Sequence, residues 1–246
     1  MFRKIAYLIL VLFSVSILAS CGGGSSDDVE TVNYNRLKFD TAETNTVIPF
    51  PNDIIWASDN FPGDNVTLPT EGLNDPEKKA LYSAINALNI KGLSPNTPIA
   101  IPLASDIKLS GKSLNNSIRI FDLTGYQTNP TANNFFTDIE IKQNGDMINI
   151  YPLKPMAAGH KYLVIITGDL KDYRGYPVMP SPVYKTLRDT DNCSTLGSPD
   201  LQNLCQNYEP LWGMAANLTG KKKENLLEIF TFTTADKTLG LEDFGV

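Results

Sequence analysis

The chain has 246 residues, 42% of them hydrophobic, and a formal net charge of −6 at neutral pH. That length can bury the core of one large domain or of two small ones. An acidic balance repels phosphate backbones and anionic headgroups alike, so neither a nucleic-acid partner nor attachment through a basic patch is expected.

The first element in chain order is a leader, residues 1–20. Arg3 and Lys4 form a basic start, Ile5 to Leu18 is almost wholly apolar, and the small Ala19 and Ser20 lead into Cys21. A basic start, a short apolar run and a small-residue cleavage site make a secretory signal rather than a fold element. The run is shorter than the roughly 20 residues that span a bilayer comfortably. Leu18-Ala19-Ser20-Cys21 resembles the lipobox of bacterial lipoproteins. The resemblance implies cleavage before Cys21, a lipid on its thiol and an exported domain tethered to the membrane. The alternative is an ordinary signal peptide followed by a chance cysteine. Gly22 follows Cys21 in place of the aspartate that commonly retains lipoproteins at the inner membrane, which implies the outer membrane, on its periplasmic face or at the cell surface. Without Arg3 and Lys4, 19 basic and 27 acidic residues remain, a net −8. Attachment should therefore come from acyl chains, at about 0.8 kcal/mol per buried methylene.

Residues 21–34 include Gly22-Gly23-Gly24-Ser25-Ser26-Asp27-Asp28, a polar tether with nothing to bury. An N-terminal extension, 35–98, follows. Its piece Val47-Ile48-Pro49-Phe50-Pro51 has two prolines, which exclude a central strand and suit an extended, edge-like segment. Asp75-Pro76 then opens a helix with a capping carboxylate and proline at its first position. Leu81, Ala84, Ile85 and Leu88 fall on one face of it, and Lys91-Gly92 supplies the stop.

Residues 99–240 read as a β-sandwich, so the fold class expected is mainly β and immunoglobulin-like. Ser117 to Asp122 is a strand candidate. Asp138-Ile139-Glu140-Ile141-Lys142 and Met147-Ile148-Asn149-Ile150 both alternate polar and apolar, and Asn144-Gly145 between them is a strong hairpin signal. A turn at those two residues places Ile141 opposite Ile148 and Ile139 opposite Ile150, with all four isoleucines on one face. Lys161 to Thr167 is apolar on both faces, as a central strand requires, and Ile229 to Thr233 supplies a late strand. Between these two lies a helical insertion, 187–225. Its run Leu201, Leu204, Tyr208, Leu211, Ala215, Leu218 has helical spacing, with Pro210 expected to kink or restart the helix. Cys193 and Cys205 stand in the insertion. In an exported protein they are expected to be joined, which would stabilise the fold by roughly 3 kcal/mol.

The order of these pieces resembles the N-terminal, non-catalytic domain of bacterial virulence-factor lipases. Ile48-Pro49-Phe50-Pro51-Asn52-Asp53 with the following helix looks like its opening. Tyr151 to Val164, with Leu170 to Val178 after it, looks like its strand-turn-strand, and Ile229 to Thr234 like its closing strand. Parts of the pattern also occur in immunoglobulin-like domains of bacterial surface-layer proteins. The resemblance covers roughly residues 45–234 and rests on structural motifs. It implies an accessory or binding domain, with a hydrolase domain or protein as a possible partner. Two other readings stay open: a truncated or split lipase or lysophospholipase whose catalytic domain lies elsewhere, and an adhesin-like module that recognises glycan or protein.

Catalysis by this chain is not expected. No Gly-x-Ser-x-Gly occurs, although that turn is what exposes the serine in such hydrolases, and the chain ends twelve residues after Thr234. His160, the only histidine, reads as an exposed turn residue rather than a base. No cofactor or metal is expected: Asp59, Asn60, Asp64 and Asn65, and likewise Asp189, Asp191 and Asn192, lack the spacing of a calcium loop and read as local turns. Two cysteines and a distant histidine do not make a structural zinc site. Asp172 to Gly175 reads as a tight turn, Lys221-Lys222-Lys223 as a solvated face, and Trp56 and Trp212 as partly buried packing.

Overall fold

The computed structural model describes residues 35–41, 47–56, 70–71, 75–87, 92–105, 107–131 and 133–236. Cys21 and the leader, Asp59, Asn60, Asp64, Asn65, Leu88 and Lys91 lie outside them, as do the side chains of Trp56 and Ile85.

Among the described residues six strands form two antiparallel three-stranded sheets, so the fold is mainly β with helices attached. Sheet 1 has the order β1-β4-β3, from β1 (Ile99–Pro102), β4 (Met147–Pro152) and β3 (Ile139–Asn144). Sheet 2 has the order β2-β5-β6, from β2 (Ile118–Asp122), β5 (Lys161–Thr167) and β6 (Leu226–Thr233). β5 is the central strand, as its apolar character on both faces requires. The described residues also form five α-helices: α1 (Pro76–Ala87), α2 (Gly111–Ser117), α3 (Leu123–Thr128), α4 (Pro182–Asp189) and α5 (Pro199–Thr219).

The two sheets share one core. Ile99, Ile101, Ile148 and Ile150 of sheet 1 cluster with Ile118, Ile120, Val164, Ile166, Phe230 and Phe232 of sheet 2. A second core lies on the other face of sheet 2. There Phe121, Leu163, Ile165 and Ile229 cluster with Tyr184 and Leu187 of α4 and with Cys205, Tyr208, Trp212 and Ala215 of α5. Odd and even positions of β5 thus serve different cores, which is the period-two rule of an extended strand applied to two buried faces. Sheet 1 alternates instead. Glu140 and Lys142 face solvent while Ile139 and Ile141 pack on the shared core.

The hairpin β3–β4 forms, but two residues out of the expected register. Ile141 pairs with Ile150 and Ile139 with Pro152, and Asn144 pairs with Met147. The two-residue connection is therefore Gly145-Asp146, with Gly145 taking the positive φ of +57°. Gln143 helps to hold this register. Its side chain donates to the carbonyls of Ile107 and Gly145 and accepts from the Leu109 N–H. A slip of two keeps every isoleucine on its face, so the apolar pattern cannot detect it.

Two helix expectations also change. Leu81 does not bury a face of α1; it is 58% exposed, and Ala84 is exposed beside it. α5 runs unbroken through Pro210, which sits on its exposed side. Ser198 caps its start by accepting from the Leu201 N–H, with Pro199 at the first position, where its missing N–H costs nothing. The extended piece at 47–51 lies beside β1, with Phe50 and Ala100 exchanging both backbone hydrogen bonds at 2.9 and 2.6 Å.

Candidate functional site

The cysteine pair is joined. Cys193 and Cys205 form a disulfide, Cα to Cα 5.5 Å, which ties the turn at Cys193–Thr195 to the first half of α5. Trp212 is fully buried in the same layer and donates from Nε1 to the Tyr184 hydroxyl at 2.8 Å. That hydroxyl also accepts from the Ile229 N–H at 2.9 Å, so one oxygen binds α5 to the backbone of β6. These groups hold the fold together and offer nothing to a ligand.

His160 is not a simple exposed turn residue. Its ring is 29% exposed, and Nδ1 lies 2.8 and 3.0 Å from the two oxygens of Asp122, whose side chain is 17% exposed. A carboxylate only accepts, so Nδ1 carries the hydrogen and Nε2 is the nitrogen left for chemistry. The pair forms because Asp122 ends β2 and caps α3, accepting from the Gly125 N–H at 2.7 Å. His160 directly precedes β5, the neighbour of β2. The Tyr162 hydroxyl accepts from the Ala157 N–H at 2.9 Å; burial, with Asp122 beside it, pushes its pKa up to about 12.

An aspartate that orients a histidine is two-thirds of a hydrolytic triad, and the third part is a hydroxyl held at the base. Two threonine hydroxyls bond to the backbone around this histidine. Thr124 Oγ1 accepts from the Lys161 N–H at 2.9 Å. Thr234 Oγ1 accepts from the His160 N–H at 3.0 Å and lies 2.6 Å from the Ala157 carbonyl. The dyad thus works as a clamp between the end of β2 and the turn before β5. Lys161 makes the matching contact on the opposite face, 3.3 Å from Asp53. Burial lowers the Lys161 pKa, and the Asp53 carboxylate opposes that shift.

The turn at Asp172 to Gly175 is tight, as its sequence suggests, and it carries more than a change of direction. Asp172 is buried, and Oδ1 accepts from the Arg174 and Tyr176 N–H groups, both at 2.9 Å. Oδ2 accepts from Asn35 Nδ2 at 2.8 Å. Burial alone would raise this carboxyl's pKa; the hydrogen bonds from Tyr176, Asn35 and Arg174 outweigh it and hold the group below its ordinary value. Gly175 supplies the positive φ of +90°. The turn is pinned from outside as well, since the Tyr173 N–H donates to the Lys108 carbonyl at 2.9 Å. On this frame Tyr173 and Tyr176 are each 61% exposed, and the Arg174 guanidinium lies 5.4 and 5.5 Å from their ring centres. Two exposed tyrosines flanking a stacked arginine, on a backbone that cannot relax away, make the most distinctive surface feature among the described residues.

The other sequence candidates resolve as structure. Asp189 pairs with Arg188 and Lys185, each at 2.7 Å, and Asn192 caps the turn at Cys193–Thr195. Among the described residues no three His, Cys, Asp or Glu side chains gather as a metal site, and no helix is long and apolar enough to cross a membrane. The lysine run is less solvated than expected. Lys221 pairs with Asp169 at 2.7 Å, and Lys223 pairs with Glu209 and lies 4.5 Å over the Trp212 ring. Asp122 reads in the sequence only as the end of a strand, although an aspartate directly before Leu123-Thr124-Gly125 is also an N-cap signal. Tyr173-Arg174-Gly175-Tyr176 was legible as a turn, and its two aromatic side chains were the signal that the turn is also a surface.

No protein-family profile matches the chain, and no curated protein matches it. Among solved structures it is similar to the S-layer protein rSbsC(31-844), at 17% identity and a TM-score of 0.25. It is also similar to surface layer protein SbsC, domains 1–6, at 13% and 0.24, and to the N-terminal part of the bacterial S-layer protein SbsC, at 16% and 0.24. These matches cover 43%, 42% and 43% of this chain, and 14%, 14% and 26% of the respective S-layer chains.

Proposed function

We propose that this chain is a lipid-anchored protein of the bacterial outer membrane and that its folded part is a non-catalytic binding domain. In this reading the domain is an immunoglobulin-like β-sandwich akin to the accessory domain of virulence-factor lipases. The observation that carries the anchoring is Leu18-Ala19-Ser20-Cys21 behind a basic, then apolar, leader. The Cys193–Cys205 disulfide supports export, because such bonds persist in oxidising compartments. Two antiparallel sheets packed on one shared core support the sandwich.

Binding rather than catalysis is supported by the commitments of His160. Its ring is held by Asp122, and the hydroxyls of Thr124 and Thr234 bond to the backbone at Lys161 and His160. Acyl transfer needs a nucleophile within reach of that base and an oxyanion hole. Tyr173, Arg174 and Tyr176, exposed on a hydrogen-bonded turn, support an adhesin-like binding role over a split lipase.

Metabolic labelling with a palmitate analogue followed by fractionation tests the anchoring. Label and membrane attachment should both vanish in Cys21→Ser; equal label on wild type and variant would contradict it. A para-nitrophenyl ester assay tests the rest. Wild type and His160→Ala should both sit at background, and turnover lost in the variant would overturn the non-catalytic reading.

A further inference from the structure

The exposed turn has the composition of an interface core. Tyrosine, arginine and methionine are enriched at the centres of protein–protein interfaces, and lysine is left to the rim. Here the exposed side chains of the turn are Tyr173, Arg174 and Tyr176, and Met179, also exposed, follows three residues further along the chain. Lys108, with Nζ 5.9 Å from the Tyr173 ring centre, and exposed Lys171 stand at the edge. Two carboxylates close to Arg174 in sequence are already committed: Asp172 is buried under its hydrogen bonds, and Asp169 is paired with Lys221. A chain of net charge −6 therefore presents a locally cationic, aromatic patch.

Geometry sharpens the chemistry. The Arg174 side chain is 60% exposed, and the two tyrosine rings hold its guanidinium while Asp172 Oδ2 approaches Nε at 3.5 Å. A guanidinium stacked in this way recognises a carboxylate through paired N–H bonds and loses little freedom on binding. Because Asp172 fixes the turn before any partner arrives, the ordering cost that ordinarily weakens a loop interface is small.

From these observations we infer that the Tyr173-Arg174-Gly175-Tyr176 turn docks an acidic protein surface, with a partner carboxylate on Arg174 and partner aliphatic groups against the tyrosine rings. This rests on the binding-domain reading and names the chemistry of what that domain binds. Fluorescence anisotropy with the mature chain is the test. The probe is a short labelled peptide of Glu-Glu-Leu repeats; its Lys-Lys-Leu counterpart, oligogalacturonate and phosphatidylglycerol vesicles are the comparisons. The acidic peptide should bind, weaken as salt is raised, and lose at least tenfold in affinity with Arg174→Glu and with the Tyr173→Ala/Tyr176→Ala pair. Lys222→Glu, exposed elsewhere, should leave binding unchanged. Since these side chains are exposed, the variants should melt as wild type does, which separates loss of contact from loss of fold. Absence of peptide binding, or equal binding by the turn variants, would overturn the inference. So would displacement of the peptide by oligogalacturonate or by vesicles, which would make the ligand a glycan or a headgroup. Those results leave membrane tethering untouched, whereas loss of tethering would show in the Cys21→Ser fractionation and not in this assay.

Discussion

The two faces of sheet 2 are built differently. Against sheet 1 it presents Ile118, Ile120, Val164, Ile166, Phe230 and Phe232, aliphatic and aromatic side chains met by isoleucines. Against the helices it presents Phe121, Leu163, Ile165 and Ile229, met by Tyr184, Tyr208 and Trp212 and tied by a disulfide. Apart from the Tyr162 hydroxyl, which accepts from the Ala157 N–H, the first face is held by non-directional burial, which tolerates arrangements of similar volume. The second adds directed bonds through the Tyr184 hydroxyl, which accepts from α5 and from β6 at once. Directed bonds of this kind fix one arrangement of the helical layer, where apolar packing alone would leave several.

Substitutions can break that comparison. Trp212→Ala should cost most, about 3–5 kcal/mol, because it opens a cavity and removes the Tyr184 bond together. Urea unfolding checks it; a loss no larger than that of an exposed site would mean that the helical layer contributes little. The Cys193→Ser/Cys205→Ser pair should cost roughly 3 kcal/mol by the loop-closure argument, and the melting temperature under non-reducing conditions reads it. Tyr184→Phe should cost about 2 kcal/mol, since it leaves the Ile229 and Trp212 N–H groups buried without an acceptor. On the other face Ile150→Val should cost about 1 kcal/mol, a methylene and its cavity. If Ile150→Val proved more damaging than Tyr184→Phe, the contrast between the two faces would fail.

Glu228 sharpens the comparison through pH. It lies buried in β6 with neither carboxylate oxygen hydrogen-bonded, and burial pushes its pKa well above the ordinary 4.5. The folded state then keeps a proton that the unfolded chain releases, so this group's contribution is fullest below about pH 4.5. Stability falls as pH rises from there toward the folded-state pKa. Glu228→Gln should remove that slope, leaving variant and wild type nearly alike in acid and the variant ahead at higher pH. Parallel pH profiles for the two proteins would refute it.

What the sequence revealed follows from the same contrast. Period-two alternation marks both strands of the hairpin and an unbroken apolar run marks the central strand, because burial on one face or two leaves a direct imprint on composition. Register escaped, since a shift of two preserves every face; Gly145-Asp146 as the connection depends on where Gln143 bonds. The helical run from Leu201 to Leu218 was legible, while the meeting of Tyr184 with Trp212 and Ile229 was not. Those residues are 28 and 45 positions apart, and no local pattern encodes a shared hydroxyl. His160 looked like a turn residue because Asp122 stands 38 positions away. The Asp172 turn was the opposite case. Asp and Gly at short spacing announced it, and only exposure showed that its tyrosines and arginine form a surface.

The most direct measurement is the intact mass of the protein extracted from bacterial membranes. The extracted chain should begin at Cys21, carry the mass of its acyl groups, and lack the thiol hydrogens of Cys193 and Cys205. A chain cleaved elsewhere, an unmodified Cys21, or two free thiols would contradict that expectation.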